Sequence, residues 1–171
     1  DSLGIPYALG HLAGAYSKKS EFSKAKSYLD RAMEIRLKRN DLIGIAETNG
    51  QYGEFYFLQK NYQKAMPYLL KSNDLAQKTH YLHLQHQSIA LLSQCYEELG
   101  DFKNALKYQK VQENLKDSML NESTNNSIAS LEIQFETEKK EKQLAEQKAT
   151  IAHQELVEKK RNFYLIGLAL L

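Results

Sequence analysis

The chain contains no tryptophan, a single cysteine and two prolines among its 171 residues. With Cys95 alone, no internal disulfide can form, and cysteine usage assigns no redox compartment. Scarce proline removes the strongest helix breaker. Abundant Ala, Leu, Lys, Glu and Gln then favour an all-helical chain. A surplus of basic charge is missing as well. Residues 1–120 carry 16 basic and 13 acidic side chains, and residues 121–171 carry 7 and 8. Neither part has the excess that binding a phosphate backbone demands, so no nucleic-acid partner is expected for this segment. There is no glycine-rich phosphate loop: Gly10, Gly14, Gly50 and Gly53 fall inside helical patterns, where they permit close packing. The chain begins at Asp1 with no secretory signal and stops at Leu171 inside an apolar run, as a piece of a longer protein would.

What the sequence has instead is a repeat with a period of 40 residues. Tyr16, Tyr56 and Tyr96 share one register, as do Ala25, Ala65 and Ala105. So do Phe22, Tyr62 and Phe102, and likewise Tyr28, Tyr68 and Tyr108. Gly4, Ile5 and Gly10 recur as Gly44, Ile45 and Gly50. Composition bias cannot hold one register through three copies. Each copy, at about residues 1–40, 41–80 and 81–120, reads as two helices. Leu9, Leu12, Ala13 and Tyr16 form one stripe of the first helix. A polar break at Lys18-Lys19-Ser20-Glu21 precedes a second helix with Phe22, Ala25, Leu29 and Ala32 facing inward. The small residues at Ala25, Ala65 and Ala105 let paired helices approach. The aromatics at Phe22, Tyr62 and Phe102 wedge between neighbouring hairpins. One hairpin cannot bury its apolar face alone, and about three stacked copies are needed.

The pattern resembles the tetratricopeptide repeat, whose motif runs W-x2-L-G-x2-Y, then A-x3-F, then A. The first copy supplies Leu9, Leu12, Ala13, Tyr16, Ala25, Leu29 and Ala32. The second supplies Asn49, Tyr52, Gly53, Tyr56, Ala65, Leu69 and Ser72. The third supplies Ile89, Leu92, Ser93, Tyr96, Ala105, Gln109 and Gln112. The closing proline is missing, and the period is 40 instead of about 34. The resemblance covers about residues 1–118 and implies a right-handed α-solenoid of three hairpins followed by a long C-terminal helix.

After Leu120 the character changes. Residues 121–127 are polar and rich in helix-capping types, and from Ile128 to Arg161 there is neither glycine nor proline. A heptad register places Ile128, Leu131, Phe135, Ala145, Ala149, Ala152 and Leu156 on one seam, interrupted by Glu138 and Lys142. Such a weak seam suits a homodimeric helix that can rotate, and equally a single solvent-exposed helix. Its first turns, with Ile128, Leu131 and Phe135, are also placed to cap the open end of the solenoid. Residues 163–171 carry no charge and follow Lys159-Lys160-Arg161. That is the pattern of a transmembrane helix cut short, with a short terminus packing on the solenoid as the alternative.

Taken with Leu115-Lys116-Asp117-Ser118-Met119-Leu120-Asn121-Glu122 and Phe135-Glu136-Thr137-Glu138-Lys139-Lys140-Glu141-Lys142, this arrangement is similar to the sensor half of membrane-bound regulators of Bacteroidetes-type bacteria. In that family an exported tetratricopeptide region is followed by one transmembrane helix. Beyond it lies a histidine kinase core or a helix-turn-helix DNA-binding domain. The resemblance implies a bacterial inner-membrane protein with periplasmic repeats, and two-component signalling as the first expectation. The basic flank at Lys159-Lys160-Arg161 on its own would favour a cytoplasmic side. A soluble scaffold or adaptor is the competing class.

Nothing in the segment points to catalysis, a cofactor or a metal. His80, His83 and His86 are spaced by three but lack an acidic or thiolate companion, and read as a loop residue and surface positions. His153 has no ATP-binding domain beside it and is not a phosphoacceptor. Cys95, with no basic neighbour, reads as a core thiol. Transferred groove positions of the repeat family fall on Tyr7, Gly10, Gly14, Glu47, Gly50, Glu54, Phe57, Gln87, Gln94, Glu97 and Glu98. That face would be mildly acidic with two exposed aromatics. It suits an extended or basic peptide of a protein partner, or else is an ordinary solvated surface. Capture of a C-terminal carboxylate is excluded, since residues 82–98 contain no Lys or Arg to clamp it.

Overall fold

The computed structural model describes residues 4–169, with side chains described through Arg161. Its described residues are all helical or in short turns: α1 (Gly4–Lys18), α2 (Phe22–Lys38), α3 (Leu42–Leu58), α4 (Tyr62–Lys78), α5 (Leu82–Glu98) and α6 (Phe102–Ala169). The chain divides into two units, Asp1–Asn121 and Glu122–Leu171. The first holds the three hairpins, the last of them formed by α5 and the start of α6.

A finer period underlies the 40-residue one. Ser20, Asn40, Lys60, His80 and Gly100 all adopt positive φ, at 61°, 52°, 57°, 54° and 77°. Each of α1 to α5 therefore ends at a left-handed residue, 20 positions after the previous one. In each case the following amide donates to the carbonyl five residues back: Glu21 to Tyr16, Asp41 to Arg36, Asn61 to Tyr56, Tyr81 to Ala76 and Asp101 to Tyr96. This is the Schellman closure, which satisfies carbonyls left open at a helix end. The same residue then caps the next helix. Asp41 accepts from the amide of Gly44, Asn61 from Lys64 and Asp101 from Asn104. Glu21 and Tyr81 make no side-chain cap.

The core is built from the repeated small and branched residues. Ala25, Ala65 and Ala105 are buried, as are Leu9, Ala13, Leu29, Ala32, Leu69, Ile89 and Leu92. Each hairpin is tied across its two helices by a stacked tyrosine pair: Tyr16 on Tyr28, Tyr56 on Tyr68 and Tyr96 on Tyr108, with ring centroids 5.5, 5.4 and 5.3 Å apart. Neighbouring hairpins are joined by the wedge aromatics. Phe22 meets Phe55 edge-on, and the hydroxyl of Tyr62 donates to Glu98. Phe102, in the same register, is 69% exposed, because no further hairpin of the stack lies against it among the described residues.

Three expectations change. Leu12 was placed on the inward stripe of α1 but is 43% exposed. Its counterpart Tyr52 is buried because α2 precedes α3 and its hydroxyl donates to Asp30, whereas no described helix precedes α1. Gly14 relieves no close contact, for a Cβ there would meet open space. Ile128, Leu131 and Phe135, set against the open end by the sequence reading, are all exposed, and α6 runs through the capping-type residues 121–127 without a break. No glycine or proline stops it there, and hydroxyls that would cap a helix bond backward instead: Ser118 to the carbonyl of Asn114 and Ser127 to that of Ser123. The seam residues Ala145, Ala149, Ala152 and Leu156 are exposed in the single chain, as both a seam for a second copy and a solvated helix would be. Among the described residues no helix is long and apolar enough to cross a membrane. The run at 163–171 lies outside the residues whose side chains are described.

Candidate functional site

Four positions recur on the first helix of every hairpin and face one side of the stack: 7/47/87, 10/50/90, 11/51/91 and 14/54/94. Ten of these twelve residues, all but Gly10 and Gly14, line a cavity of about 510 Å³, within the range of sites that hold a small ligand or a peptide side chain. From α1 come Tyr7 and His11; from α3 come Glu47, Gly50, Gln51 and Glu54. The α5 wall is Leu84, His86, Gln87, Ser88, Leu91 and Gln94, with Tyr81 at the turn before it. Thus Tyr7, Glu47, Glu54, Gln87 and Gln94, expected from sequence, are brought together. Phe57, Glu97 and Glu98 are not among the walls. They belong to the last turns of their helices, beside the hairpin turns, where Phe57 lies edge-on to Tyr62 at 5.4 Å and Glu98 accepts from the Tyr62 hydroxyl.

Behind the cavity is a residue sequence reasoning missed. Arg36, on α2, is only 1% exposed. It donates from Nη2 to Glu47 Oε2 at 2.9 Å, from Nη1 to Thr48 Oγ1 at 2.9 Å, and to the carbonyl of Gly44. Its guanidinium also lies 4.8 Å from the centre of the Tyr7 ring, a cation–π contact. A buried charge persists only when it is paired and bonded in this way. Burial raises the Glu47 carboxyl above its ordinary value, against the opposing pull of Arg36. The phenol of Tyr7 is raised chiefly by the Glu47 charge and then by burial.

No period signal could have revealed Arg36, whose counterpart one repeat later is Ala76. His11, Gln51 and Leu91 were legible: they are one register position, and stepping it by 40 recovers all three. His83 Nε2 lies 2.9 Å from Gln87 Nε2, His86 lies 3.4 Å from Gln112, and among the described residues no group of three or more His, Cys, Asp or Glu could hold a metal ion. Cys95 is fully buried, and burial pushes its thiol up to about 11, the behaviour of an inert core sulfur.

The sequence profile of the tetratricopeptide repeat matches residues 6–39, 46–79 and 86–110, at the same 40-residue spacing. The chain belongs to the tetratricopeptide repeat family. Such repeats are protein-interaction modules and are generally non-catalytic. No curated protein matches the chain. Among solved structures it is similar in fold to the crystal structure of the TPR domain of Arabidopsis FLU. That likeness has a TM-score of 0.59 and 16% identity, over 67% of this chain and 96% of that one.

Proposed function

We propose that this chain is the sensor region of a membrane-anchored bacterial signalling protein, in which the repeats bind a protein or peptide and α6 carries the response toward an output domain. The observation that carries the reading is the cavity itself: most of its walls are one set of register positions on the first helices of all three hairpins, so a ligand there touches every first helix at once. Binding that alters the relative placement of those helices alters the stack as a unit. The a/d register from Ile128 to Leu156 supports a helix that pairs with a second copy and keeps its rotational phase. The apolar residues after Lys159-Lys160-Arg161 support a membrane anchor. The output is a two-component histidine kinase in the first reading and a helix-turn-helix regulator in the second, with the repeats periplasmic in both.

The exposure of every seam residue also fits one other reading, a scaffold whose tail is a passive solvated tether. Insertions after Glu146 in the full-length protein separate the two. Seven residues change the helix phase by about 20°, while two or five change it by more than about 100°. The sensor reading expects signalling to survive seven and fail with two or five. Equal signalling by all three, or a protein that remains in the soluble fraction of lysed cells, would sink it.

A further inference from the structure

The cavity's walls hold two carboxylates, Glu47 and Glu54, together with amides, imidazoles and aromatic or aliphatic groups, and no lysine or arginine. The two carboxylates are not equivalent. Glu47 is already answered by Arg36 at 2.9 Å. Glu54, half-buried on the same face of α3, forms no ion pair among the described residues. Its register partners leave it accessible. Gly14 on α1 offers no side chain, and a Cβ there would meet open space; Gln94 on α5 is exposed.

We propose, resting on the reading of this cavity as the partner site, that it takes the lysine or arginine side chain of a bound peptide, with Glu54 as the counter-ion. The methylene stem lies along Leu84 and Leu91 and the charged end reaches Glu54, the way long basic side chains divide themselves between apolar and polar surroundings. The amides of Gln87 and Gln94 accept from peptide N–H groups at the mouth. A charge-assisted hydrogen bond in a partly desolvated cavity is stronger than a neutral one, and an acidic ligand is repelled by Glu54. The Arg36–Glu47 pair contributes no net attraction, since its charges cancel; it holds the α2–α3 wall in place. The discrimination therefore rests on one residue.

The test starts from random nine-residue peptides displayed and selected on the intact chain. The selected peptides are synthesised and titrated by fluorescence anisotropy. Each is paired with a version carrying norleucine at every Lys and Arg. The proteins are the wild type, Glu54→Gln, and a double variant, Gln87→Trp with Gln94→Trp, whose two exposed positions obstruct the mouth. The proposal expects selected peptides to carry Lys or Arg and to lose binding to the double variant. Norleucine should weaken binding to the wild type by about ten-fold or more and leave binding to Glu54→Gln unchanged. Peptides blocked by the double variant but indifferent to norleucine overturn the charge assignment while the cavity stands as partner site. Discrimination that persists in Glu54→Gln overturns the choice of residue. If the double variant blocks no peptide, or no peptide is selected, the partner-site reading falls and the proposal falls with it.

Discussion

Arg36 on α2 and Glu47 on α3 meet at 2.9 Å, the arginine sealed at 1% exposure and the glutamate on the wall of the cavity. The pair joins the first hairpin to the second at the place where the chain presents its binding face. Replacing Arg36 with Met removes one partner and leaves a half-buried carboxylate unanswered, a change that costs about 3 kcal/mol or more. Urea unfolding should show that loss. The Glu47 carboxyl, already raised by burial, should climb further in a carbon-detected titration. A variant as stable as the wild type would show that the pair does not hold these hairpins together.

Lys60 and Ser20 occupy left-handed backbone at φ 57° and 61°, where a side chain costs roughly 1–2 kcal/mol that glycine does not. The last turn of the series already uses glycine, at Gly100. Lys60→Gly and Ser20→Gly should each raise stability by about 0.5–1 kcal/mol after the added freedom of the unfolded chain is subtracted. Lys60→Val should lower it. Thermal melts of the three variants check the order.

Gly53 faces the fully buried Leu69, and an added Cβ would overlap its side chain. On helix propensity alone Gly53→Ala would gain about 1 kcal/mol. Because Leu69 has nowhere to go, overpacking should win and the variant should lose about 1–3 kcal/mol. A stabilised variant would mean that α3 and α4 separate more easily than their packing implies.

The hydroxyl of Tyr52 donates to Asp30, linking α3 to α2. Burial pushes the Asp30 carboxyl up, but its hydrogen bonds from Lys26 and Tyr52 outweigh that and hold it below the ordinary 3.8. The stability Asp30 contributes is therefore complete above pH 3.8 and is lost as the pH falls through the lower folded value. Asp30→Asn should melt below the wild type at neutral pH, and the gap should close under strongly acid conditions. A gap unchanged by acid would assign the effect to shape and not to charge.

Much of this was legible before any coordinates. The 40-residue register named the buried alanines, the wedge aromatics and the recurring tyrosines, though not that these stack in pairs, because each hairpin repeats the same packing problem and solves it with the same residue types. It named Tyr7, Glu47, Glu54, Gln87 and Gln94, which the fold brings around one cavity. It mistook Leu12 for a core residue, since a repeat pattern does not say which copy stands at the end of the stack. Phe57, Glu97 and Glu98, named with the cavity residues, lie in the last turns of their helices, outside the walls of that cavity.

The sequence by itself determined the helical hairpins, their turns and the family, because those depend on spacing within about 40 residues. Only the tertiary structure decided which carboxylate of the cavity is free. Glu47 and Glu54 are the same residue type on the same helix face, seven positions apart. What separates them is Arg36, brought against one and not the other by the packing of α2 on α3. Charge acts through space, and a repeat register carries no record of what a neighbouring helix places behind it.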